Sequence, residues 1–240
     1  MSLVLTSCHA TQPGTRHRHN EDRFVDRPDL GVWAVADGAG GHDAGEFASG
    51  LIAAALEAIP AGLSAQAVLA QIRGRIGTVH NEVQAAAAER GADVTIASTA
   101  VILCVRDEHF VCLWAGDSRA YRLARGQLQQ ITRDHSLVQE LVDAGHITPE
   151  QAEAHPNANV ITRAVGAAAA DLVLDKTIDR LRAGERFLLC SDGLTKSVPE
   201  TEIAALLGGD GDTAARLVAA AQQRQARDDV TAVTIDVHAA

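Results

Sequence analysis

Aromatic residues are scarce in this 240-residue chain, at 3%. A core must therefore be filled by Ala, Val, Leu and Ile, through close helix contacts and β-branched strand packing. The 47% hydrophobic content is ample for that. Runs of clustered Lys and Arg are also missing, and the formal charge is -10. Both features argue against a nucleic-acid partner, because a phosphate backbone calls for concentrated positive charge. Cys8, Cys104, Cys112 and Cys190 form no CxxC pair, and zinc-type His spacings are lacking, so neither a zinc module nor a disulfide framework is expected. Residues 1–10 show no positive segment followed by a long apolar stretch, and no apolar run approaches bilayer length. The expectation is a cytoplasmic protein without membrane insertion, its cysteines reduced. Internal repeats, low-complexity tracts and Pro/Ser-rich linkers are absent too, so residues 1–240 read as a single domain, with a monomer as the default.

What is present is a series of short apolar runs, several ending at an acid. Residues 31–36 lead into Asp37-Gly38, and residues 186–190 lead through Ser191 into Asp192-Gly193. Each reads as a buried strand delivering an aspartate at its edge. Asp228-Asp229 instead opens a strand, in which Val233, Ile235 and Val237 alternate with polar neighbours. Helices are expected over 44–59 and 64–90, the second carrying Leu69, Ile72, Ile76, Val79 and Val83 on one face. Residues 95–105 and 109–123 predict a hairpin about Arg106-Asp107-Glu108, and therefore antiparallel pairing. The pattern weakens between 132 and 166 into a flap over about 133–165, and two closing helices follow at 201–207 and 213–226.

A single Asp-Gly after a strand is more often a corner than a ligand. Three such acids far apart in sequence are, however, what an all-oxygen site for Mg2+ or Mn2+ requires, because hard cations select carboxylate, carbonyl and water ligands. The order of the surrounding motifs decides between these readings. Asn20-Glu21-Asp22, Val35-Ala36-Asp37-Gly38-Ala39-Gly40-Gly41-His42, Gly116-Asp117-Ser118-Arg119, Thr132-Arg133-Asp134-His135-Ser136, Ser191-Asp192-Gly193 and Arg227-Asp228-Asp229-Val230-Thr231 follow one another. The series resembles the protein phosphatase 2C (PPM) family, particularly its compact bacterial members, from about Gly14 to Val237.

The resemblance implies an α+β fold, a four-layer αββα sandwich of two antiparallel sheets flanked by helices. It also implies metal-dependent hydrolysis of phosphoserine and phosphothreonine in proteins, by water activated between two divalent cations, Mn2+ or Mg2+. Carried over to this chain, Asp37 bridges both cations, the Gly38 carbonyl completes one, and Asp192 and Asp228 ligate the other. Glu21 and Asp22 match acids that hold water around the pair. Asp117, with Asp192, resembles the site of a third, weaker cation. Among bacterial members the partners include transmembrane Ser/Thr kinases and, for some, type VI secretion clusters.

Two positions depart from the family pattern. An Arg that grips the substrate phosphate usually stands three residues ahead of Asn20, where this chain has His17 flanked by Arg16 and Arg18, so these three are the candidate phosphate ligands. Asp229 stands where the family generally carries Asn. His42, four residues beyond Gly38, is the candidate acid for the departing alkoxide. These departures motivate an alternative, a pseudophosphatase that binds phosphoproteins without turning them over. Two other readings fail on sequence grounds. Ser118 lacks the G-x-S-x-G elbow of a serine hydrolase. An aspartate-nucleophile phosphohydrolase needs D-x-D, and Val35 holds the first position of that triplet here.

Overall fold

The computed structural model describes residues 3–16, 19–40, 44–91, 94–168 and 171–240. The chain begins with strands β1 (Leu3–Gln12), β2 (Asp22–Arg27) and β3 (Val32–Ala39), followed by helices α1 (Ala44–Glu57) and α2 (Ala65–Arg90). A run of strands comes next: β4 (Ala97–Ser98), β5 (Ala100–Arg106), β6 (His109–Ala115), β7 (Arg119–Ala124) and β8 (Gln127–Gln130). Short helices α3 (Leu137–Asp143) and α4 (Pro149–Glu153) lead to β9 (Asp175–Arg180) and β10 (Arg186–Cys190). Helices α5 (Asp192–Ser197), α6 (Glu200–Leu207) and α7 (Thr213–Gln223) precede the last strand, β11 (Val230–Ala239).

The strands form two antiparallel sheets, one in the order β1-β11-β10-β7-β8 and the other β2-β3-β5-β6-β9, with β4 paired to β3. Continuous apolar runs are explained by burial on both faces of a sheet. In β3, Trp33 and Val35 point into the space between the sheets, against Phe187, Leu189, Val233 and Ile235. Val32, Ala34 and Ala36 point outward, onto Ile52 and Leu56 of α1 and Ile72, Ile76 and Val83 of α2. The outer face of the other sheet is covered in the same way, with Tyr121, Leu188 and Cys190 under Ile203, Leu207, Leu217 and Ala221 of α6 and α7. Four layers result, as the resemblance implied. The 65–90 helix starts where expected, its Ser64 side chain accepting a hydrogen bond from Ala67 N–H.

The expected strand over 109–123 is instead two strands in different sheets. Gly116 has φ +112°, and a Cβ there would lie 2.6 Å from the Thr99 Cβ. The chain turns at that glycine, so β6 stays beside β5 while β7 crosses to pair with β10. The flap consists of α3, α4 and their connections, neither helix burying a residue. It is tied down by isolated bridges from Ser98 to Val165 and from Ser136 to Ile161.

Candidate metal centre and its cleft

Asp37 and Asp22 face one another across the β2–β3 pairing. Asp37 is held through its backbone: its N–H donates to Thr99 Oγ1 (3.0 Å) and its carbonyl accepts from Thr99 N–H (2.8 Å). The Thr99 hydroxyl lies 2.6 Å from that of Ser118, which couples Asp37 to the Gly116-Asp117-Ser118 corner. Ser118 is thus a buried strut, not an exposed nucleophile. On the other sheet, Asp192 is the first residue of α5, and Ser191 before it makes no side-chain cap to that helix. Its hydroxyl donates to Asp22 Oδ2 instead (2.7 Å). Asp228 precedes β11 and shares the cleft wall with Asp37, Asp117 and Asp192.

The two Asp-Gly glycines do not serve as positive-φ corners. A Cβ on Gly38 would sit 2.1 Å from the Gly45 carbonyl oxygen, and one on Gly193 would sit 2.0 Å from the Asp229 carbonyl oxygen. These glycines let the α1 segment close onto β3 and the β11 entry close onto α5, which draws the acids from both sheets to one end of the sandwich.

The resulting cleft has a volume of about 910 Å3, and its lining includes Arg16, Glu21, Asp37, Gly38, Asp117, Asp192, Lys196 and Asp228. Asp22 lies behind that lining, 2% exposed. Arg16 and Lys196 bring positive charge to the same wall. Of the other residues expected at the site, His17, Arg18 and His42 lie outside the described residues.

Burial dominates the electrostatics. It pushes Asp22 up to about 7 against the opposing hydrogen bond from Ser191, and Asp229 and Asp192 add to the rise. Asp117 is likewise pushed up to about 7 by burial and then by Asp192, with Lys196 opposing. Asp37 is raised well above the ordinary carboxylate range by burial and by Asp22, Asp192, Asp117 and Asp228. Burial also raises Asp192, less so because Lys196 pairs with it. Among the described residues, no three His, Cys, Asp or Glu side chains close on one point tightly enough to form a ready-made cage. The acids stand around the cleft, and Asp22 Oδ1, Asp117 Oδ1 and Asp192 Oδ1 are buried without a hydrogen-bond partner. Orphaned carboxylate oxygens of one sign in a low-dielectric site are costly unless a cation satisfies them, and an all-oxygen donor set suits a hard divalent ion.

Asp229, whose place in the site the sequence left open, is 3% exposed. Its Oδ1 accepts from Gly14 N–H and its Oδ2 from Glu21 N–H, each at 2.8 Å. One carboxylate thus fastens the segments on both sides of Arg16 to the entry of β11. Backbone bonds from Thr15 N–H to the Ala226 carbonyl and from Arg16 N–H to the Arg227 carbonyl add to this clamp. An Asn side chain offers only one acceptor atom to these two donors.

The root of the flap is built differently. His135 Nδ1 accepts from Gly116 N–H (3.1 Å), which leaves Nε2–H facing Asp175 Oδ2 (3.2 Å). Arg163 donates to Asp175 Oδ1 (2.7 Å). The Trp114 indole stacks on the His135 ring and donates to the Arg133 carbonyl (2.8 Å). Arg119 holds Asp134 through Nε and Nη2, the shortest contact being 2.7 Å, while its Nη1 donates to the Tyr121 hydroxyl (3.0 Å).

A two-sheet sandwich flanked by helices, with buried aspartates from both sheets gathered at one mouth, defines a class of α+β proteins with a carboxylate-lined cleft. Comparison with known proteins agrees on its family. The model for "Protein phosphatase 2C" matches residues 14–230, and the chain belongs to that family. It is 37% identical over 240 residues to the serine/threonine protein phosphatase PstP of Mycobacterium tuberculosis, covering 99% of this chain and 46% of PstP. The chain therefore spans about half the length of that relative. Among solved structures it is similar to PppA, described as a key regulatory component of T6SS in Pseudomonas aeruginosa. The TM-score is 0.90 at 40% identity, over 98% of this chain and 99% of PppA. The catalytic domain of PstP in complex with 2 manganese ions superposes with TM-score 0.83 at 34% identity, over 99% of this chain and all of that one.

Proposed function

We propose that this chain is a divalent-metal-dependent phosphatase acting on phosphoserine and phosphothreonine in proteins. The observation that carries the reading is the set of orphaned, buried oxygens on Asp22, Asp117 and Asp192 beside a cleft that also holds Arg16. The serine/threonine phosphatase PstP, similar over nearly the whole of this chain, and its two-manganese structure support it. Two Mn2+ or Mg2+ ions, when bound, supply an acidified water and neutralise charge on the phosphoryl group. Asp37 would hold both ions, with the Gly38 carbonyl, Asp192 and Asp228 completing them. Glu21 and Asp22 would orient water around the pair.

Of the three candidate phosphate ligands, Arg16 is the one among the described residues; it lines the cleft, and its guanidinium would meet phosphate oxygens with paired N–H donors. The Asp229 clamp holds its backbone in position. Likeness to PppA over the full length of both chains supports a regulatory role in which the substrates are phosphoproteins of a secretion apparatus or the kinase that modifies them.

The test is hydrolysis of a phosphothreonine peptide by the purified chain with Mn2+ or Mg2+ and after chelation. Turnover should require the metal and fall on the order of 10^3-fold in Asp37→Asn, a loss in kcat. Metal-independent turnover, or an Asp37→Asn protein as active as the parent, would overturn the proposal.

A further inference from the structure

Asp192 and Lys196 stand four residues apart on α5, and the Lys196 ammonium pairs with Asp192 Oδ2. The other oxygen of that carboxylate, Oδ1, is buried and unpartnered, as is Asp117 Oδ1 across the cleft. Lys196 lines the same wall as both acids, its side chain 41% exposed and that of Asp192 12%. Asp117 and Asp228 also act on Lys196 as attracting charges. A divalent ion shared by Asp117 and Asp192 would need several oxygens around it. Here one of the four carboxylate oxygens is already engaged by an ammonium, whose charge repels any cation placed beside it.

We propose that the Lys196 ammonium takes the position that a third, weaker cation would occupy between Asp117 and Asp192, so that the chain binds two divalent ions and carries its third positive charge covalently. This rests on the two-cation reading above. Asp192 then divides its labour, Oδ1 serving a metal and Oδ2 serving Lys196. Because the covalent charge cannot dissociate, the field at this end of the cleft does not vary with free metal once the pair is bound.

The experiment counts Mn2+ on the intact chain by titration calorimetry, with electron paramagnetic resonance of free Mn2+ as a second count and thermal melting as a check on folding. The parent and Lys196→Arg should saturate at two ions. Lys196→Met should take up a third, bound about tenfold or more weakly than the pair, and Lys196→Met combined with Asp117→Asn should lose it again. A third ion on the parent, or only two on a folded Lys196→Met protein, would overturn the role given to Lys196. Fewer than two ions on the parent would instead overturn the two-cation reading itself, and this inference with it.

Discussion

The cleft and the root of the flap meet at one corner, since Gly116 bonds to His135 while the adjacent Asp117 faces the carboxylates, yet they are built on opposite electrostatic plans. In the flap root each charge meets its opposite, Arg163 with Asp175 and Arg119 with Asp134, while the His135 ring accepts from Gly116 N–H and its Nε2 faces both Asp175 Oδ2 and Arg163 Nη1. In the cleft, acids face acids, and among the described residues three carboxylate oxygens are buried without partners. The flap root is complete as folded. The cleft is destabilised as folded and needs an outside charge, which is the usual mark of a binding site held together by its scaffold. Lys196, paired with Asp192, and Arg16 are the cations that the described residues bring to this otherwise acidic side.

The sharpest break of this contrast is metal removal at varied pH. Asp22 and Asp117 are pushed up to about 7 in the folded chain, against an ordinary value of 3.8. Between those values the folded state holds protons that the unfolded state has lost. The stability of the chelated protein should therefore fall as pH rises from 5 to 8. Mn2+ binds the ionised form, so its stabilisation should be greatest at pH 8. At a hundredfold excess over Kd the gain should be about 2.7 kcal/mol for each ion bound, which corresponds to roughly 5–10 °C in Tm per ion for a chain of this size. Chelated protein that melts higher at pH 8 than at pH 5 would remove the distinction between the two regions.

Asp229 tests a smaller contrast within the cleft, between acids that await a cation and one that is already satisfied by the backbone. Asp229→Asn retains one acceptor and leaves a half-buried N–H of Gly14 or Glu21 without its carboxylate partner, at about 1 kcal/mol. It should lower the denaturation midpoint whether or not Mn2+ is present, and raise KM through the loosened Arg16 segment more than it lowers kcat. A loss of stability seen only with metal bound would instead make Asp229 part of the ion site.

The acids of the cleft were legible because each is announced locally, by an apolar run or a strand start, and the order of motifs gave them meaning. Continuous runs such as Val32 to Ala36 marked strands well, since both faces are covered. Edge strands escaped notice: β9 reads Asp-Lys-Thr-Ile-Asp-Arg and leaves Ile178 57% exposed, so no apolar face signals it. The division of 109–123 between two sheets hangs on Gly116 alone, where local preference sees continuous strand formers on either side. Thr99, Ser191 and Asp229 act on partners dozens to hundreds of positions away, and sequence spacing carries no trace of such pairs. Lys196 went unread for a different reason: its i,i+4 step from Asp192 has meaning only on a helix after Ser191, and none was expected there.

The smallest expected effect lies at the flap root and has the opposite sign in pH. Burial holds His135 below its ordinary value of 6.5, outweighing the hydrogen bond to Asp175, and Arg163 opposes the charged form as well. The unfolded chain therefore takes up this proton first as pH falls below about 6.5, and the stability contributed by the neutral ring is lost in that direction. Protonated Nδ1 also cannot accept from Gly116 N–H. Hydrogen exchange at Gly116 and Thr162, corrected for the intrinsic rate, should rise on the order of two- to threefold between pH 7 and 5. Asp175→Asn removes the negative charge that favours the imidazolium, so the folded ring should titrate lower still: the loss should begin near the same pH and be larger by pH 5. A smaller loss than in the parent would show that Asp175 does not favour the imidazolium, and the pairing that sets the flap root apart from the cleft would fall.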